Sequence, residues 1–299
     1  DWKQPLTIIK GARGTGKTTL LLQKLKEERE GIYLSLDDFY FEDNRLILLI
    51  EQLYESGQRH FYLDEIHQYP YWARDIKNLY DHYPDIRIVA TGSSVLKIEK
   101  EQADLSRRVV VQNLYGLSFR EFLNLEYKQN VDTLELKDIL ERHTEIADEI
   151  NDLVNPLTAF KQYLKYGYYP FFLTDKKFYL NRMQQVVQLI TDFDLPAVDK
   201  INYATVSSLK RLLFIISQSV PFTPNIQSLA ARLNTTRNTA LKALDLLERA
   251  GLINLLKSDT KGMSYLQKPD KIYLDNTNLA YAFLSTEPNT GNLRETFFF

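Results

Sequence analysis

Residues Gly11-Ala12-Arg13-Gly14-Thr15-Gly16-Lys17-Thr18 run as a glycine, four residues and then Gly-Lys-Thr, a spacing suited to holding a polyphosphate. Glycines let the backbone wrap closely enough for its amide groups to face phosphate oxygens, and a helix opening at the end of the run adds a favourable dipole. Lys17 is placed to neutralise the β and γ phosphates and the Thr18 hydroxyl to ligate magnesium, with Thr19 completing the run. Further along, Phe61-Tyr62-Leu63-Asp64-Glu65 is an apolar stretch ending in two carboxylates. Asp64 at the strand tip would hold the magnesium through its water shell, and Glu65 would orient and polarise an attacking water. Thr91-Gly92-Ser93-Ser94 offers hydroxyls near the γ phosphate; Ser93 is the expected catalytic position, with Thr91 as the alternative. Arg107 and Arg108 read either as a solvated pair or as a source of positive charge for the transition state. Asp37 and Asp38 read as a capped turn, with support of the magnesium site as the alternative.

These groups can act together only if regular elements deliver them to one edge. Residues 6–10, 32–36, 60–63, 87–91 and 109–112 are short apolar runs of buried-strand character, separated by helical stretches at 18–29, 42–55 and 72–82. The expected fold class is α/β: a five-stranded parallel P-loop sheet with helices on both faces, followed by a helical domain and a winged helix. The expected boundaries are 1–125 for the P-loop domain, 126–200 for a helical, lid-like domain, 201–270 for the winged helix, and 271–299 for the start of a further domain. The helical part is read from 132–152, an amphipathic stretch rich in Asp and Glu, and from 160–169 and 178–191.

From 203 onward the order is a helix to 218, a loop with Pro221 and Pro224, a helix at 226–233, a turn at Asn234, and a helix at 236–250 stopped by Gly251. Strands at 252–256 and 263–266 bracket a polar turn at 258–262. Helix, helix, turn, helix and hairpin is the winged-helix pattern. Residues 226–268 carry seven basic against three acidic side chains in a chain whose net charge is −2. Thr236, Arg237, Asn238, Lys242 and the wing residue Lys261 are the expected nucleic-acid contacts, directed at double-stranded DNA. A protein-binding role for the same module is the alternative.

Length and composition bound the reading. At 299 residues the chain is long enough for two or three domains, and 44% hydrophobic with 25% charged residues describes a chain that folds. It has no cysteine, which excludes disulfides, cysteine-zinc sites and thiol nucleophiles, and four scattered histidines leave little for a metal site. No run approaches the roughly 20 apolar residues of a membrane span. A soluble, cytoplasmic protein with no membrane partner is expected. The chain opens on Asp1 and closes on Phe297-Phe298-Phe299, which reads as a piece of a longer protein.

On the strings GARGTGKTT, YLDEIHQYPYWARDIKNLYD, IVATGSSVL, DLSRRVVVQNLYGLSFREFL and YLKYGYYPFF, with the winged-helix segment, the chain resembles the AAA+ branch of the P-loop ATPases. More narrowly, it is similar to the bacterial and archaeal family that couples such an ATPase to a winged helix and a C-terminal restriction-endonuclease-like domain. The resemblance implies ATP and Mg2+ as cofactors and hydrolysis of ATP to ADP and phosphate. It puts Arg108 in the surroundings of the nucleotide, with Arg107 standing where that family has glycine. It matches Glu295 to the first acidic residue of the nuclease-like domain, the rest of which this sequence lacks. The expected partners are ATP, double-stranded DNA, and a protein partner or further copies of the chain. The alternative is a nucleotide-gated switch that hydrolyses slowly or not at all and whose winged helix binds protein or DNA.

Overall fold

A computed structural model describes residues 2, 4–92, 105, 108–196, 203–218, 222–257, 268–284 and 287–299. The chain divides into two compact units, Asp1–Tyr115 and Gly116–Phe299.

The first unit is a parallel α/β sheet. Strand β1 (Leu6–Lys10) leads into helix α1 (Lys17–Glu28), followed by β2 (Ile32–Ser35), a short α2 (Tyr40–Asp43), α3 (Leu46–Glu55), β3 (His60–Asp64), α4 (Trp72–His82), β4 (Arg87–Gly92) and β5 (Val110–Asn113). All neighbours in the order β2-β3-β4-β1-β5 are parallel. Period-two alternation sorts the strand residues onto two faces. Leu6, Ile8, Phe61, Leu63, Ile88 and Ala90 pack with Leu46 and Ile50 of α3 and with Trp72, Ile76 and Leu79 of α4. Ile9, Tyr62 and Val89 face the other way, onto Leu21 of α1. Helices therefore cover both faces, which is why the strands read as near-continuous apolar runs. The single helix expected over 42–55 is two. Asn44 is extended, with φ −115° and ψ 140°, and its side-chain amide donates to the Tyr40 carbonyl at 2.8 Å, so α2 ends there and α3 starts afresh at Leu46.

The second unit is mainly helical: α5 (Phe119–Tyr127), α6 (Leu136–Leu153), α7 (Pro156–Tyr166), α8 (Tyr179–Leu189), α9 (Tyr203–Ser217), α10 (Ile226–Arg232), α11 (Arg237–Arg249), strands β6 (Ile253–Leu256) and β7 (Lys271–Leu274), α12 (Thr277–Phe283) and α13 (Thr290–Phe298). Side-chain caps set several starts. Ser118 and Glu121 form a capping box for α5, and Asn155 accepts from Thr158 N–H with Pro156 in the first turn of α7. That cap explains why α7 begins before the 160 expected from apolar spacing. Helix α6 starts at Leu136 and carries a non-helical residue, Arg142, inside it. The antiparallel partner of β6 is β7, with Ile253 opposite Leu274, and Phe222 bridges to Ile272 of the same strand. The second hairpin strand expected at 263–266 lies outside the described residues, and β7 falls beyond the boundary expected at 270. No helix among the described residues is long and apolar enough to cross a membrane.

Candidate functional site

The loop at 11–16 leaves the tip of β1 and is closed by its own backbone. A Cβ on Gly11 would lie 2.1 Å from the Leu114 carbonyl oxygen, because Leu114, just past β5, donates its N–H to the Lys10 carbonyl at 2.7 Å. Gly14 and Gly16 have φ of 91° and 95°, which glycine adopts without steric penalty. Thr15 donates its hydroxyl to the Ala12 carbonyl at 3.0 Å. Lys17 is buried, with Nζ donating to the carbonyls of Gly11 at 3.0 Å and Ala12 at 2.8 Å. The ammonium is thereby held inside the curve of the loop, in reach of whatever anion the loop receives. No side chain caps the start of α1 at Gly16, the form of a helix end that takes an anion. Ala12 and Arg13 are part-exposed and Thr19 is exposed.

The strand tips bring three hydroxyls onto one carboxylate. Asp64 is 2% exposed. Its Oδ2 accepts from the Thr18 hydroxyl at 2.6 Å and from the Tyr33 hydroxyl at 3.0 Å, and its Oδ1 accepts from Thr91 Oγ1. Thr91 is fully buried and also accepts the Glu65 N–H at 3.3 Å. Strand register makes this possible: Asp64 and Thr91 stand two residues beyond Tyr62 and Val89, hence on the face that α1 covers. Burial, with the Asp64 carboxylate beside it, raises the Tyr33 hydroxyl above the ordinary phenol value and keeps it a donor. Sequence reading missed Tyr33, which no local pattern marks, and left Thr91 as an alternative to Ser93; the apolar alternation of β4 was the signal available for Thr91. Ser93 lies outside the described residues, as do Arg107 and Lys261.

Glu65 sits directly beyond Asp64 with φ 50° and ψ 42°, a left-handed conformation uncommon for a residue with a side chain. Its Oε2 is 3.4 Å from Nδ1 of His67. Asp38 accepts the Tyr40 N–H at 2.9 Å and Asp37 accepts from the Ser35 hydroxyl at 2.6 Å, so both serve the turn out of β2. Arg108 is placed elsewhere. It precedes β5, whose Val110 pairs with Thr7 near the start of β1, and its guanidinium holds both carboxylate oxygens of Asp81 at 2.7 and 3.1 Å near the end of α4. The phosphate loop leaves the other end of β1, about 16 Å away along a five-residue strand. Arg108 therefore does not join the loop of its own chain.

The oxygens of Thr18 and Asp64 are hard donors of the kind magnesium takes. Among the described residues no group of three or more His, Cys, Asp or Glu could hold a metal. A magnesium ion at this place would draw its remaining ligands from water and a bound phosphate, its usual habit.

In the second unit, α11 opens with the Thr236 side chain accepting from Thr239 N–H at 3.2 Å. Thr236, Arg237, Asn238, Thr239 and Lys242 are all exposed. Lys257 pairs with Glu248 and Arg249 with Asp245, which leaves Arg237 and Lys242 as the basic groups of α11 with no ion pair among the described residues. Glu295 on α13 is held by Lys271 and accepts from the Tyr273 hydroxyl at 3.2 Å.

A 2-3-4-1-5 parallel sheet with a glycine-rich loop between β1 and α1, and a buried carboxylate at the tip of β3, defines the first unit as a P-loop nucleotide-binding domain. More narrowly, residues 3–123 match the family model of an AAA domain. Residues 157–290 match that of a domain of unknown function, DUF8612. "Uncharacterized protein MJ1637" of Methanocaldococcus jannaschii is 30% identical over 268 residues, 84% of this chain and 56% of that protein. An uncharacterized protein of Haemophilus influenzae is 26% identical over 316 residues, 98% of this chain and 73% of that protein. The chain thus spans little more than half the length of the first relative. Among solved structures, the Walker-type ATPase paby2304 of Pyrococcus abyssi is similar with a TM-score of 0.49 at 15% identity, over 94% of this chain and 91% of that one. Thermotoga maritima RuvB is similar with a TM-score of 0.37 at 16% identity, over 84% and 82% of the respective chains.

Proposed function

We propose that this protein binds magnesium-ATP in the loop 11–18, hydrolyses it to ADP and phosphate, and uses nucleotide state to control a winged helix that contacts double-stranded DNA. The observation that carries the reading is the convergence of Thr18 and Thr91 on the buried Asp64, with Glu65 next in the chain. In this reading the loop amides and Lys17 bind the β and γ phosphates, and Thr18 and Asp64 hold magnesium. A magnesium ion held there would offset the negative charge of the phosphates. Glu65 orients the attacking water and takes its proton, while Thr91 fixes the Glu65 backbone. Rate enhancement comes from positioning and charge stabilisation. Arg108, bound to Asp81 at the far end of the sheet, would reach a nucleotide only as the contribution of one copy of the chain to another. The preference for ATP over GTP follows from the family resemblance and the AAA match.

The order α9, the Phe222 bridge, α10, α11, β6 and β7 supports the winged-helix reading. So do the first two turns of α11, where exposed Arg237 and Lys242 accompany the hydrogen-bonding side chains of Thr236 and Asn238. Such a helix start suits phosphate and base-edge contacts.

Equilibrium binding of magnesium-ATP tests the nucleotide part. Lys17→Ala and removal of magnesium by a chelator are each expected to weaken binding by an order of magnitude or more, and unchanged affinity in Lys17→Ala contradicts the assigned site. For the DNA part, affinity is expected to fall with salt and to weaken in Arg237→Ala and Lys242→Ala. An absence of DNA binding at low salt would favour a protein partner.

A further inference from the structure

Glu65 and His67 are two residues apart, yet their side chains meet because the chain reverses between them. The left-handed Glu65 leads into a tight turn in which Gln68 N–H donates to the Glu65 carbonyl at 2.9 Å and Tyr69 N–H to that of Ile66 at 3.1 Å. The turn carries the His67 imidazole into the protein, where it is 3% exposed. Nδ1 then lies 3.4 Å from Glu65 Oε2, and Nε2 lies 3.2 Å from the side-chain nitrogen of Gln68. An amide nitrogen donates and does not accept, so Nε2 is the acceptor. With the Gln68 amide in this orientation, a neutral ring carries its proton on Nδ1, the nitrogen that faces the carboxylate.

Resting on the hydrolytic reading above, we infer that His67 is a positioning residue whose Nδ1–H, 3.4 Å from Glu65 Oε2 and not aligned as a hydrogen bond in this structure, takes hold of that oxygen when nucleotide is bound and aims the other carboxylate oxygen at the attacking water. The terminal torsion of a glutamate is broad, with no strong staggered preference, so an unheld carboxylate samples many orientations. Here the backbone N–H is fixed by Thr91 Oγ1, while the carboxylate has the buried His67 Nδ1 within reach, a contact of the kind that tightens when the ligand is bound. The imidazole acts through Glu65 and not on the nucleotide. Loss of such orientation lowers turnover by roughly tenfold or more while leaving nucleotide affinity alone.

Two measurements test this. His67→Phe fills the buried space without ring nitrogens, and His67→Asn keeps an N–H donor in the Nδ1 position. Steady-state hydrolysis should show kcat lowered roughly tenfold in His67→Phe with KM unchanged, largely restored in His67→Asn, and no further loss when His67→Phe is added to Glu65→Gln. Equal losses in the two His67 variants, or the same factor in the Glu65→Gln background, overturn the assignment. Long-range proton–nitrogen NMR of the four histidines, with His67 assigned by its loss in His67→Phe, reads the tautomer without any turnover. The Nδ1–H form is expected, and an Nε2–H ring overturns the proposal whatever the activity. A wild-type chain that hydrolyses no ATP overturns this proposal together with the hydrolytic reading, whereas normal turnover in His67→Phe overturns this proposal alone.

Discussion

The two units treat buried polar groups in opposite ways. Asp64 stands at the end of a sheet and is met by three hydroxyls, those of Thr18, Tyr33 and Thr91. A hydroxyl can rotate to a new partner at little cost, so this cluster can reorganise around a ligand. Asn278, fully buried in the second unit, has no such freedom. Its Oδ1 accepts from Tyr168 N–H at 2.9 Å and from the Tyr179 hydroxyl, and its Nδ2 donates to the carbonyls of Tyr163 at 3.0 Å and Leu164 at 2.8 Å. Neighbouring Thr277 adds a bond to the Leu164 carbonyl at 2.8 Å. These contacts tie the end of α7, more than a hundred residues earlier, to the start of α12. One polar centre is built to exchange partners, the other to hold a fold.

The largest expected departure between them comes from Asn278→Ala. It leaves the Tyr168 N–H and the Tyr179 hydroxyl proton without an acceptor in a dry interior and takes one donor each from the Tyr163 and Leu164 carbonyls, and should destabilise the second unit by about 3–5 kcal/mol, read as a lowered denaturant midpoint, while magnesium-ATP affinity is unchanged. A shared loss of nucleotide binding would erase the distinction between the two centres.

Asp275 sharpens the same contrast through pH. Burial raises its carboxyl from an ordinary 3.8 to about 6, against opposing hydrogen bonds from Asn276 and Tyr168. The folded chain then holds this proton more tightly than the unfolded chain. Its contribution is fully present below about pH 4 and is lost as pH rises through about 6. The difference amounts to roughly 2–3 kcal/mol between pH 4 and pH 7, and Asp275→Asn should flatten that part of the stability profile.

At the other centre, Thr91→Val keeps the shape of the side chain but removes its bonds to Asp64 and Glu65. Turnover should fall about tenfold with a smaller change in folding stability; an unchanged rate would show that the Glu65 backbone needs no support from β4. Tyr33→Phe is expected to have the smallest effect, about 1 kcal/mol or less in magnesium-nucleotide binding, since Asp64 keeps two other donors.

Much of the first unit was legible in sequence because its chemistry is local. The phosphate run sits between an apolar strand and a helix, and Asp64 ends the third apolar strand, so strand tips and site coincide. Tyr33 was not legible, since its position on the α1 face follows from the register of β2 against β3 and nothing near it in sequence marks a site. The break at Asn44 was hidden by apolar spacing that continues across it. In the second unit the helices from α6 to α11 were visible from periodicity and the start of α11 from its threonines, whereas α12 (Thr277–Phe283) and the Asn278 centre at its start were not. Its partners lie over a hundred residues away, and a buried asparagine at a helix start reads in sequence only as a cap. The partner of β6 was misplaced for a similar reason: Lys271–Leu274 is a short apolar run that only pairing identifies as a strand.

The central claim is that Lys17 and Glu65 serve one hydrolytic site, with Lys17 binding nucleotide and Glu65 working on water. Steady-state magnesium-ATP hydrolysis by the wild type, Lys17→Ala and Glu65→Gln, with nucleotide affinity measured in parallel, tests it most directly. Turnover should drop by about a hundredfold or more in both variants, with affinity lost in Lys17→Ala and retained in Glu65→Gln. Wild-type turnover no greater than that of Lys17→Ala, despite tight ATP binding, would contradict the claim and leave a nucleotide-gated switch in its place.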